Sequence, residues 1–189
     1  MEFIKLHPNR VACLLLVIVA SCVRPGATST DDAGRPNRVS DGHSVAILLT
    51  ANNADLSLAR LAPDHTQNTA VLALARRLIT DHTLFNTRIS DLSARNGITP
   101  VDDSLGLALR DDGARARTML RTVEGPVFDT AYVANEAQLH RALLALIDDE
   151  LLPSARNADL RELLIVFRPA VSAHLAHAEQ VLAALRARR

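Results

Sequence analysis

The sequence predicts an all-α fold, an antiparallel four-helix bundle with one long crossover between its second and third helices, and three observations lead there. Alanine and leucine abound while aromatic residues make up only 3% of the chain, a composition that favours close-packed helices over a β-sandwich. Apolar residues recur at helical spacing in four segments, most regularly in the second, where four- and three-residue steps alternate. The first and third connections between those segments are short and the second is long.

The first helix runs from about Ser44 to Ala62, with Val45, Leu48, Leu49, Leu56 and Ala59 on one face, and stops near Pro63. Asn68 caps the second, whose stripe is Val71, Ala75, Leu78, His82, Phe85, Ile89 and Leu92, and Asn96-Gly97 ends it. The long connection that follows holds one or two short helices, because Leu105, Leu109, Met119 and Leu120 have helical spacing but little continuity. Gly125-Pro126 opens the third helix, where proline in the first turn forfeits no hydrogen bond. Val133, Glu136, His140, Leu143 and Ile147 form its stripe, and Pro153 follows its end. The fourth begins near Asp159, with Glu162 placed for a capping box, and its stripe is Leu160, Leu164, Phe167, Val171, His174, Ala178, Val181 and Leu185. Pro169 lies inside that helix and is read as a tolerated kink. A single crossover of this kind is the ferritin-like connectivity.

Ahead of this domain, assigned to residues 43–189, stands an export signal. Lys5 and Arg10 precede the apolar run "VACLLLVIVA", which is short of the roughly 20 residues a membrane span needs. "VASC", Val19 to Cys22, resembles a bacterial lipoprotein signal, so residues 1–21 are expected to be removed and Cys22 lipidated. Residues 22–42 then form a flexible tether rich in Pro, Gly, Ser, Thr and Asp. The expected address is the periplasm or cell envelope, with the membrane as partner through the N-terminal lipid. Cys13 would leave with the signal, and no cysteine remains for a disulfide. Twenty-one basic residues balance 21 acidic ones, which sets nucleic acid aside as a partner. No protein partner can be named from the sequence.

Each stripe carries polar residues near its midpoint: Asn52 and Asp55 in the first helix, His82 in the second, Glu136 and His140 in the third, His174 in the fourth. Midpoints stay level in antiparallel helices, so these side chains are expected in one layer. Tyr132, one turn before Glu136, is placed to donate a hydrogen bond to it. The leading reading is a structural polar layer that fixes register, with no cofactor. The alternative is a divalent transition-metal site made of Asp55, His82, Glu136, His140 and His174. A ferritin-type di-iron centre is disfavoured, because Ile79 and Val171 stand where its bridging carboxylates would precede His82 and His174. Asp81 is read as a solvated or capping carboxylate, since neighbours along a helix face different ways.

"LARRLITDHTLFNTRISDLSARNGI", "VFDTAYVANEAQLHRALL" and "FRPAVSAHLAHAEQVL" together resemble the bacterial exported family called domain of unknown function 4142. Its Asp-His pair corresponds to Asp81 and His82, its Phe-Asp-x-x-Tyr to Phe128, Asp129 and Tyr132, its third-helix histidine to His140, and its Pro followed by His-Leu to Pro169, His174 and Leu175. The acidic residue usual in the family's first helix is represented by Asp55, a shorter carboxylate. The resemblance implies a ferritin-like helical bundle and no settled activity. No nucleophile elbow, phosphate loop, CxxC pair or nucleotide fingerprint accompanies it, so no catalytic residue is assigned. The function read from the sequence is a lipid-anchored envelope module, non-enzymatic, with a binding, structural or stress-related role; the alternative is a metal-binding ferritin-like protein.

Overall fold

A computed structural model describes residues 39–187; the expected signal, Cys22 and most of the tether lie outside them. The described residues are helical with no strand among them, in the order α1 (Asp41–Ala59), α2 (Ala62–His65), α3 (Thr69–Asn96), α4 (Ser104–Leu120), α5 (Gly125–Leu146), one π-helical turn (Ile147–Leu151), α6 (Leu152–Ser154) and α7 (Ala158–Ala187). No helix among them is long and apolar enough to cross a membrane. The chain is the helical bundle its apolar periodicity predicts. Its long crossover is itself a helix, so five long helices are present where the stripes indicate four.

Caps decide where these helices start and stop. Ser40 begins α1 by accepting from the His43 amide at 3.2 Å, one turn earlier than expected. Asn68 accepts from the Ala70 amide at 3.1 Å to start α3, and Gly97, at φ 63°, ends it in the left-handed region that only glycine enters without strain. Asn157, not Asp159, caps α7 by accepting from the Leu160 amide at 3.0 Å. Asp159 instead accepts from Asn96 Nδ2 at the end of α3, at 3.0 Å, so the expected capping box gives way to a strap between helix ends. Pro63 lies inside α2, a single turn, and α1 has already ended at Ala59. Pro169 sits within an unbroken α7; the carbonyl it cannot pair with belongs to Ile165, an exposed residue.

The helix in the crossover starts where Asp103 caps it, accepting from the Gly106 amide at 2.7 Å, and glycine on its inner face lets it approach α1 closely. Its buried residues are Gly106, Gly113 and Leu120, seven apart, with Leu109 and Ala116 partly buried beside them, and α4 packs on α1. A Cβ at Gly113 would stand 2.8 Å from Ala54 Cβ. Leu105, Leu107 and Met119 point outward. With α3 on one side and α4 on the other, α1 is covered nearly all round, and Ser44 to Leu48 are buried without a break.

The core divides into two apolar clusters. One gathers Leu58, Val71, Leu74, Leu78, Phe128, Val133 and Val181; the other gathers Val45, Leu48, Phe85, Ile89, Leu143, Leu164, Phe167 and Val171. Along α1, α3, α5 and α7 the residue numbers skip a turn between the clusters; Asn52 and Asp55, His82, His140 and His174 fill that gap, and Glu136 lies one turn before His140.

Candidate metal centre

Asn52, Asp55, His82, Glu136 and His140 are wholly buried, and His174 is 2% exposed. The antiparallel geometry therefore brings the six midpoint residues into one layer, as their level positions predict. The ring centroids of His82, His140 and His174 form a near-equilateral triangle, at 5.5 Å for the first pair and 5.3 Å from His174 to each of the others. Each ring offers a nitrogen within 4.8 Å of the other two. Asp55, Glu136 and His140 satisfy the same test as a second triad.

Every imidazole has one nitrogen engaged and one free of any protein partner. His82 Nδ1 meets Asn52 Oδ1 at 2.7 Å, His140 Nδ1 donates to the Glu136 carbonyl at 2.9 Å, and His174 Nε2 lies 2.9 Å from Asp81 Oδ2. The opposite nitrogens, His82 Nε2, His140 Nε2 and His174 Nδ1, have no hydrogen-bond partner in the chain. Asp55 Oδ2 stands 3.4 Å from His82 Nε2 and 3.5 Å from His140 Nε2, close but without hydrogen-bond geometry. Nor have the Asp55 and Glu136 oxygens, Asn52 Nδ2 and Tyr132 Oη a partner, so the expected bond from Tyr132 to Glu136 is not made. Tyr132 packs instead against Phe128, ring over ring at 5.4 Å.

Burial sets the protonation of the layer. It pushes the Asp55 carboxyl up to about 7, and with the nearby Asp55 charge it drives Glu136 well above the usual carboxyl range. Burial also pulls His82 down to about 3 and His140 to about 4, with neighbouring imidazoles adding to the effect. His174 is lowered by burial against the pull of Asp81. Without a cation the layer therefore holds neutral rings and two carboxyls that compete to keep protons. A proton shared between Asp55 and Glu136 would let one donate to the other; as two carboxylates they have no donor.

Two residues outside the predicted layer complete the geometry. Asp81 and Arg77 form an ion pair on the surface of α3, and the same Asp81 oxygen, Oδ2, also meets His174 on α7. Partial burial raises the Asp81 carboxyl, but Arg77 and His174 together outweigh it and hold it below the ordinary range. His177, one turn beyond His174, is partly exposed. Asp129, a motif residue, works elsewhere: it accepts from Thr66 Oγ1 and from Asn68 Nδ2, fastening the turn before α3 to the start of α5.

Against models of known families, residues 26–181 match the Domain of unknown function (DUF4142). The chain belongs to that family. Comparison with curated proteins and with solved structures returned no match. DUF4142 membership agrees with the three motifs and with the all-α bundle, and it assigns no activity.

Proposed function

We propose that this DUF4142 domain binds one divalent transition-metal ion in its core, held by His82, His140, His174 and Asp55, with Glu136 beside it as a second carboxylate. The observation that carries this reading is the clustering of the imidazoles: one nitrogen of each ring lies within 4.8 Å of one on each of the other two, and each ring is held through one nitrogen by an acceptor. Ligating histidines are held that way, because the outer hydrogen bond fixes tautomer and ring angle. Metal–ligand bonds of 2.0–2.2 Å around a tetrahedron give ligand-to-ligand edges of about 3.3–3.5 Å. The Asp55 oxygen lies 3.4 and 3.5 Å from its two imidazole neighbours, so that edge is already set. Charge supports the same assignment. Three neutral rings, two carboxylates and one divalent cation sum to zero, whereas either carboxylate alone in the core is expensive.

A polar layer that only fixes register explains the outer bonds but not the inner atoms. Each buried polar atom left unpaired costs roughly 1–3 kcal/mol. The three imidazole nitrogens without a partner would then cost about 3–9 kcal/mol together, a large share of the stability of many domains. Imidazole and carboxylate together suit zinc, iron, cobalt or nickel better than calcium or magnesium. Protein made without a polyhistidine tag and purified without chelator should retain one ion per chain by elemental analysis. A chain that keeps none after loading with zinc, cobalt, iron or nickel and desalting would overturn the metal reading and leave the register layer.

We also propose that the domain works at a membrane surface, tethered through a lipid on Cys22. The "VASC" motif and the Pro- and Gly-rich stretch after it support this. Intact mass of membrane-extracted protein should give a diacylglyceryl-modified chain beginning at Cys22; a mature chain starting elsewhere would refute the anchor.

A further inference from the structure

We propose that Asp81 is the positioning residue of the metal centre: it reaches across from α3 to hold His174 of α7 by its outer nitrogen, so that Nδ1 faces the ion. The proposal rests on the metal reading above. Its basis is geometric. Residues adjacent on a helix are about 100° apart, so when His82 points into the seam, Asp81 points toward a neighbouring helix. That neighbour is α7, and Asp81 Oδ2 meets His174 Nε2 at 2.9 Å. One dipeptide thus serves the same centre twice, His82 from inside and Asp81 from behind another ligand.

The three outer acceptors are not equivalent. His82 has an amide oxygen, His140 a backbone carbonyl, and only His174 has a carboxylate. A carboxylate behind an imidazole makes the free nitrogen a stronger donor to a cation, and it forbids the tautomer that would turn N–H toward the ion. It is also the only outer acceptor that reaches solvent, with its side chain 22% exposed, where Arg77 pairs with it from one turn below. Arg77 therefore fixes the carboxylate that fixes the ligand. His174 needs that help most: its free nitrogen is Nδ1, next to the ring's attachment, so small rotations swing it out of reach.

The rival role is a strap between α3 and α7 that has nothing to do with an ion. Asp81→Ala, Asp81→Asn and an exposed control, Arg186→Ala, separate the two when apo stability and cobalt(II) binding are measured on the same proteins. Asp81→Ala should weaken the cobalt dissociation constant about 10- to 100-fold and shift the visible d–d absorption. Asn should weaken it less, because its amide oxygen still accepts from Nε2–H while the charge is gone. Apo melting temperatures should stay close to wild type. A wild-type chain that binds cobalt while Asp81→Ala binds it equally, with the same spectrum, overturns the assignment, whatever happens to apo stability. Should alanine prevent folding, Asp81→Asn decides, and unchanged affinity there overturns it too. A wild-type chain that takes up no cobalt fails the metal reading itself, a distinct result.

Discussion

The apolar clusters and the polar layer between them are built from the same four helices, a turn apart, and they solve opposite problems. In the clusters, leucine, valine and phenylalanine side chains fill space and need no partner beyond packing. The layer packs just as tightly, at 0% exposure for five of its residues, yet leaves nine polar atoms without a protein partner. A bundle of this length could have run its stripes through the midpoint with leucine. On the metal reading, the difference teaches that the layer is shaped for an ion rather than for stability, and its cost is carried by the clusters on either side.

The largest effect that can sharpen this contrast is the ion itself. A ligand that binds only the folded state at 1,000 times its dissociation constant adds about 4 kcal/mol. For a domain of this size that is roughly 10 °C in melting temperature. Calorimetry of the loaded domain with and without chelator should show a drop of this order, reversed when the metal is restored. Equal melting temperatures would mean that the layer is no more metal-dependent than the clusters.

Making the layer resemble its neighbours comes next. Replacing buried ionisable groups by well-packed apolar ones of similar volume is often neutral or stabilising, by up to about 4 kcal/mol, because desolvation is avoided. Asp55→Leu combined with Glu136→Met should therefore hold or raise the apo melting temperature while abolishing the response to metal. A variant destabilised in the apo state would show that the carboxyls hold the fold together, in which case the contrast between layer and clusters disappears.

A third comparison lies outside the seams, between α4 and the rest. Gly113→Ala puts a methyl group 2.8 Å from Ala54 Cβ, and overpacking of this kind costs about 1–3 kcal/mol even though alanine is the better helix former. Urea unfolding should show a lowered midpoint with metal stoichiometry intact, since Gly113 touches none of the ligands. A stabilised variant would mean that α4 is free to move off α1.

These cases also say what was legible. The helices that bury large side chains on one face, α3, α5 and α7, are readable from spacing, and because antiparallel midpoints stay level, the six layer residues follow from four stripes. α4 is not readable that way: its fully buried residues are two glycines and a leucine, and glycine inside a helical pattern reads as a break. Its cover over α1 explains in turn why α1, buried nearly all round, shows a poor stripe. Asp81 departs from its expected role for a related reason. Considering only the seam of its own helix makes it look solvated, whereas its partner arrives from α7, and no spacing within α3 can announce that.

The smallest expected effect, the pH response of the apo domain, tests the protonation argument most directly. His82 and His140 have folded values of about 3 and 4 against an ordinary 6.5, so their contribution is complete above 6.5 and is lost as pH falls toward those folded values. His174 has the same sign, weakened by Asp81. Asp55 runs the other way. Its folded value of about 7 lies above the ordinary 3.8, so its contribution is complete below 3.8 and is lost as pH rises through 7; Glu136 shares that sign. Between about pH 4 and 6.5 the unfolded chain takes up protons on three imidazoles, while the folded chain already holds them on two carboxyls. The difference is about one proton, worth roughly 1.4 kcal/mol per pH unit at most, and it changes sign near neutrality. The apo domain should therefore melt at nearly the same temperature at pH 7 and pH 5.5. Asp81, held below the ordinary range, adds nothing until pH falls under about 4. The loaded domain should behave differently, because both carboxyls must give up their protons to the ion, and acid reverses that exchange. Its extra stability should fade over the same interval in which the apo curve stays flat. A steep acid loss in the apo domain would mean that the carboxyls are ionised there without a cation, and the charge argument for the centre would fail.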